Sequence, residues 1–93
     1  MNIKLRFDCY SCDIYIPDGY IFDLEKLKKS FLDWMELQPE CIVDFSDGRS
    51  GYYFNEKHFV KFVNDIILKR SREKAYLIQT LQEKRKSKFT IDF

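Results

Sequence analysis

The sequence predicts an α+β fold: a mainly antiparallel sheet of two hairpins plus a C-terminal strand, packed with two helices in the order ββαββαβ. Three observations carry this. Apolar and polar residues alternate at both ends of the chain. An Asp-Gly pair separates two short apolar runs. Two further stretches repeat apolar residues at a helical period behind a capping side chain.

Ile3, Leu5, Phe7 and Cys9 alternate with Asn2, Lys4, Arg6 and Asp8, the period of a half-buried strand. Cys12, Ile14 and Ile16 resume it after Tyr10-Ser11. With those two residues as the turn, Cys9 opposes Cys12, Phe7 opposes Ile14 and Leu5 opposes Ile16, all on one face. Tyr-Ser lacks the Gly or Asn that two-residue turns favour. The same register sets Asp8 against Asp13 on the outer face, a repulsion that Arg6, a cation or a basic partner would relieve.

Pro17-Asp18-Gly19 marks a turn, and Asp23 can accept from the open amides of a helix's first turn. Leu24, Leu27, Phe31, Trp34 and Met35 form one face of that helix, which should stop before Pro39. Cys41, Val43 and Phe45 then alternate. Asp47-Gly48 favours a type I′ turn and sets Val43 against Tyr52 and Cys41 against Phe54.

Asn55 can cap a second helix with the stripe Phe59, Phe62, Val63, Ile66 and Ile67, resumed by Leu77, Ile78 and Leu81 after the polar run 69–74. As one helix, residues 56–87 would span about 48 Å. A chain of this length has an expected radius of gyration of roughly 12 Å. The helix therefore projects, or it breaks near 69–74. Phe89, Ile91 and Phe93 alternate with Lys88, Thr90 and Asp92 as a closing strand.

Ninety-three residues accommodate one domain, 1–93. The longest apolar run, Ala75 to Ile78, is far too short to span a membrane. The opening residues are charged and alternating, unlike a secretory leader, so a cytoplasmic protein is expected. Aromatic residues make up 17% of the chain, enough to build a small core without staples. They read first as core, and only second as a stacking platform for nucleic acid.

Net charge is +1 but unevenly laid out. Residues 1–68 hold 8 Lys/Arg and 12 Asp/Glu, giving −4, and residues 69–93 hold 8 and 3, giving +5. The basic residues of the second part are Lys69, Arg70, Arg72, Lys74, Lys84, Arg85, Lys86 and Lys88. They read first as a solvated helix face, and then as a strip for phosphates or an acidic partner.

Motifs for chemistry are few. Cys9, Cys12, Cys41 and His58 are the only combination with zinc-ligand chemistry, but Cys41 and His58 are widely spaced singletons. Cys9 and Cys41 also fall in phase with apolar residues, where a thiol serves as a small hydrophobe. A strand follows the C-x-x-C, whereas a redox pair needs it to open a helix. His58 in a first helical turn disfavours positive charge. The loop 44–51 fails as an EF-hand, because Val43 and Phe45 fall at ligand positions, and Gly48-Arg49-Ser50-Gly51 lacks the nucleophile-elbow spacing.

The expected function is therefore that of a small non-catalytic protein–protein interaction module, an inhibitor, immunity or adaptor factor. No cofactor, metal or membrane is implied. Tyr10, Tyr15, Tyr20, Arg49 and Tyr53 are candidate contact anchors, with Trp34 beside them, because Tyr, Trp and Arg dominate interface energetics. The alternative is a nucleic-acid-binding factor that uses the basic C-terminal helix. A homodimer through the second helix, burying Leu77, Ile78 and Leu81, is compatible with either.

Overall fold

The computed structural model describes residues 1–20, 23–78 and 89–93. The fold is α+β. Strands β1 (Asn2–Arg6), β2 (Ser11–Tyr15), β5 (Tyr76–Leu77) and β6 (Phe89–Asp92) form a four-stranded sheet in the order β5-β2-β1-β6. Strands β3 (Ile42–Asp44) and β4 (Ser50–Tyr52) form a separate two-stranded sheet. Helices α1 (Leu24–Glu36) and α2 (Glu56–Phe62) lie in the intervening segments. The larger sheet is mixed: β1 is antiparallel to β2, but β6 runs parallel to β1.

The first hairpin forms with a different register from the one its sequence suggests. Ile3 pairs with Ile14 and Leu5 with Cys12. The connection is the longer stretch Phe7–Tyr10, closed by the Phe7 amide donating to the Tyr10 carbonyl at 2.8 Å. Relative to the Tyr-Ser turn, each residue of β1 meets a partner four positions earlier. An even slip preserves the face, so Ile3, Leu5, Ile14 and Ile16 still point inward and are fully buried. On the outer side Asp13 lies across from Lys4 rather than Asp8, which removes the expected like-charge pair.

Helix α1 starts where its cap predicts. The Asp23 carboxylate accepts from the amides of Glu25 and Lys26 at 3.0 and 3.3 Å. Leu27, Phe31 and Met35, spaced by four, are its buried face. A 3₁₀ turn at Pro39–Cys41 follows and buries Cys41 completely.

Helix α2 departs furthest from expectation. Asn55 and His58 form a reciprocal capping box: Asn55 Oδ1 accepts from the Lys57 and His58 amides, and His58 Nδ1 accepts from the Asn55 amide at 3.1 Å. After Phe62 the chain widens into a π-helical turn, Val63–Ile67, ending with the Leu68 amide on the Val63 carbonyl at 2.8 Å. The extra residue in that turn rotates the apolar stripe by one position. Leu68 becomes fully buried, while Ile66, expected inside, is 55% exposed.

The helix stops there rather than continuing through residues 69–78. The Asn64 side chain clasps the backbone of Ala75, accepting its N–H at 2.8 Å and donating to its carbonyl at 3.1 Å. Lys74 Nζ donates to the Leu68 carbonyl, satisfying an acceptor at the helix end. Residues 76–77 then add β5 to the sheet, pairing Leu77 with Ile14. Leu77 and Ile78 are thus half-buried in or beside a strand. The projecting helix that would have offered them to a dimer partner is not formed, and Leu81 lies outside the described residues.

Phe31 sits at the centre of the core. Its ring lies 5.1 Å from Phe59, 5.3 Å from Phe54, 5.7 Å from Phe62 and 5.7 Å from Phe93. It joins α1 to α2, to the segment after β4 and to the residue after β6. Truncating a buried Phe to Ala costs about 3–5 kcal/mol, a large part of the roughly 5–15 kcal/mol of a small domain. Urea unfolding of Phe31→Ala should show that loss as a lowered midpoint at unchanged slope, with Phe31→Leu losing clearly less.

Candidate functional site

The β3–β4 hairpin is the part of the molecule that least resembles a folding element. Its pairs are Ile42 with Tyr52, Val43 with Gly51 and Asp44 with Ser50, one residue out of step with the register a type I′ turn would give. An Asp-Gly turn of two residues does not form. Phe45 donates its amide to the Arg49 carbonyl at 2.8 Å, leaving Ser46, Asp47 and Gly48 as a three-residue loop with Gly48 at φ +86°. That is a left-handed position suited to Gly. An odd slip exchanges faces. Val43 and Phe45 share a face with Gly51 and Tyr53, and Ile42 and Tyr52 share the other.

Neither face is covered. Phe45, Tyr52 and Tyr53 are 55%, 55% and 57% exposed, and Ile42 and Val43 are exposed as well. The hairpin is nevertheless held. At its base Tyr53 donates to the Cys41 carbonyl at 2.8 Å, where Cys41 is buried. At its tip Asp47 accepts from the Arg49 amide at 3.1 Å and pairs with its guanidinium at 2.8 Å. Midway, the Phe45 ring lies over Gly51 so closely that a Cβ there would stand 2.9 Å from Phe45 Cε2.

Beside the hairpin lies a cleft of about 270 Å³, between the turn of the first hairpin and residues 52–54. Tyr10 and Tyr53 both line it, with Asp8 and Cys9 on the turn and Phe93 at its base. Phe7 stacks on Phe93 at 5.2 Å and 14°, and Tyr10 stacks on Phe7 at 4.9 Å and 23°. The Tyr10 hydroxyl donates to Glu56 Oε2 at 2.7 Å. Desolvation, then the bond to Glu56 and its charge, holds this hydroxyl well above the usual tyrosine range, so it remains a donor. Tyr53 meets the His58 ring edge-on at 6.4 Å.

The five sequence-predicted anchors are not one surface. Tyr10 and Tyr53 share the cleft, and Arg49 is at the hairpin tip. Tyr15 stacks against its cross-strand partner Tyr76 at 5.1 Å on the main sheet. Tyr20 lines a different groove of about 600 Å³ between α1 and the π-helical turn, with Trp34, Leu37 and Ile66. Sequence reasoning missed Ile42, Phe45, Tyr52, Asp8 and Glu56 as surface components. The signal was present in Ile42-Val43 and Tyr52-Tyr53, where apolar residues occupy both faces instead of alternating.

The four zinc-type residues do not converge. Cys9 is exposed in a turn, Cys12 is half-buried opposite Leu5, Cys41 is in the core, and His58 is occupied by the cap. Among the described residues no group of three or more His, Cys, Asp or Glu is placed to hold a metal ion. Of the basic strip, Lys69, Arg70, Arg72 and Lys74 are exposed on a non-helical segment, and Lys84, Arg85, Lys86 and Lys88 lie outside the described residues. No described helix is long and apolar enough to cross a membrane.

Comparison with protein-family models, curated proteins and solved structures gives no match that would place the chain in a known family.

The thiols should differ sharply in reactivity. Burial, with Glu56 and Asp13 adding, pushes the Cys12 thiol up from 9.0 to about 11. Near pH 8 it therefore carries about a hundredfold less thiolate than an ordinary thiol. Burial also raises the Cys41 thiol, with Glu40 adding and Lys61 opposing. A disulfide reagent at pH 8 should titrate one fast thiol in the folded protein, Cys9, and all three in urea. Cys9→Ser should remove the fast phase; a fast phase that survives would show the other two are accessible.

Proposed function

We propose that this protein is a non-catalytic protein-binding module, of the inhibitor, immunity or adaptor kind, and that the β3–β4 hairpin with its neighbouring cleft is the contact surface. One observation carries the reading: Ile42, Val43, Phe45, Tyr52 and Tyr53 are all exposed on a hairpin that buries no side chain of its own strands.

A two-stranded ribbon gains little from water-exposed pairing, and large apolar groups gathered on it cost free energy until something covers them. Covering Phe45, Tyr52 and Tyr53 would contribute about 1.5–3 kcal/mol each, the scale on which aromatic anchors dominate interfaces. The ion pair at the tip, the ring over Gly51 and the buried base hold the ribbon in one shape before any partner arrives. Such pre-organisation lowers the ordering cost of association.

The test is affinity capture from lysate of the source cells, with nuclease treatment and a salt series, run in parallel on wild type and on Phe45→Ala/Tyr53→Ala. Because both side chains are exposed, the double variant should unfold within about 1 kcal/mol of wild type. A protein retained in stoichiometric amount by wild type through moderate salt should bind the variant at least about tenfold more weakly. Equal retention by both would overturn the hairpin as the contact surface. Recovery of nucleic acid alone, lost steeply as salt rises, would instead favour binding through the basic residues that begin at Lys69.

A further inference from the structure

We propose that the cleft between Tyr10 and Tyr53 is a receptor for an arginine side chain of the protein partner. This rests on the reading of the hairpin as a contact surface, and it names the chemistry that the surface selects.

The lining combines aromatic rings with one carboxylate, Asp8, and includes no Lys or Arg. Aromatic faces carry negative electrostatic potential and attract a cation placed over them, a guanidinium above all, because it can lie flat on the ring. Stacking on Phe7 occupies one face of Tyr10, and the ring is still 48% exposed, so the second face is open toward solvent. Its hydroxyl donates to the Glu56 carboxylate at 2.7 Å, which fixes the ring's orientation and enriches it in electron density. Asp8 projects from the neighbouring turn and makes no ion pair among the described residues. A carboxylate there can meet a guanidinium through two parallel hydrogen bonds.

The nearby cations are already engaged. Arg6 pairs with Asp92 at 3.4 Å, Lys61 with Glu40 at 3.4 Å and Arg49 with Asp47 at 2.8 Å. The cleft therefore has a complement for positive charge and no described internal group supplying it. At about 270 Å³ it suits one long side chain rather than a helix or a strand. The wider charge layout agrees, since residues 1–68 carry −4.

The probe is Nα-acetyl-arginine amide, titrated into the ¹⁵N-labelled full chain and followed by amide chemical shifts. Nα-acetyl-citrulline amide is the neutral comparison of the same shape. The arginine compound should give saturable shifts at Cys9, Tyr10 and Tyr53, in the millimolar range expected of a single exposed contact (~0.5–2 kcal/mol). Citrulline should bind at least about fivefold more weakly, Asp8→Asn should weaken arginine binding severalfold, and Tyr10→Leu should abolish it. Asp8 lies on an exposed turn, so the spectrum of Asp8→Asn itself reports that the fold is retained.

Equal binding of arginine and citrulline would overturn the cation receptor, as would shifts located away from the cleft. Failure of this proposal remains distinct from failure of the interaction module. Loss of partner capture by the hairpin variant together with no arginine selectivity discards only the receptor. Arginine selectivity together with unchanged capture by the hairpin variant discards only the hairpin as contact surface.

Discussion

The packing of one ring, Phe31, is the interaction on which the rest of the structure depends. A domain of this size buries a modest share of its surface, so its core needs large side chains that each touch several elements. Phe31 does this from the middle of α1, meeting Phe59 and Phe62 of α2 and also Phe54 and Phe93, which flank the hairpin and close β6. The stack continues outward from Phe93 to Phe7 and from Phe7 to Tyr10. The floor of the Tyr10–Tyr53 cleft is therefore the outer end of the core. A contact residue seated on such a column is positioned by the same packing that stabilises the fold.

What the sequence disclosed followed from how strongly each local signal constrained the chain. Asp23 and Asn55 gave helix starts because a capping side chain must lie at one position to reach the free amides. The inward face of the first hairpin was legible although its register was not. Alternation in Ile3-Leu5 and Ile14-Ile16 specifies a face, and any even slip keeps it. Nothing in Phe7-Asp8-Cys9-Tyr10 advertises a turn, so the point of reversal was hidden. The second hairpin failed in the opposite way. Asp47-Gly48 announced a turn clearly, but Gly48 serves the left-handed position of a three-residue loop, and the odd slip that results exchanges every face.

The end of α2 was illegible for a tertiary reason. Leu77 and Ile78 fit a helical stripe as well as a strand, and two strand residues are too few to show alternation. The deciding contact is the clasp between Asn64 and Ala75, eleven residues apart, which no local pattern encodes. That clasp and the π-helical turn before it also explain why Ile66 emerges beside the groove near Trp34 and Leu68 takes its place inside. The basic residues after Leu68 lose their common helical face in consequence. A strip that looked like a phosphate-binding helix becomes, as far as Lys74, a set of separate side chains on an irregular segment, one of which is spent on the Leu68 carbonyl.

The same economy bears on the candidate site. His58 spends its Nδ1 on the cap of α2, Cys41 fills the core below the hairpin, and Cys12 is held as a neutral thiol by burial beside Glu56. Residue types that often carry chemistry are here tied to structural work. The residues without such work are apolar, aromatic and exposed, and they are concentrated on a ribbon braced at base, middle and tip. Bracing matters because a flexible apolar ribbon would fold back onto the nearest core and hide its rings. Phe45 lies over Gly51, where any larger side chain would displace it, and Arg49 is tied to Asp47 at the loop. A surface that cannot collapse inward keeps its exposed area for a partner, and the free energy of covering that area is then available to association.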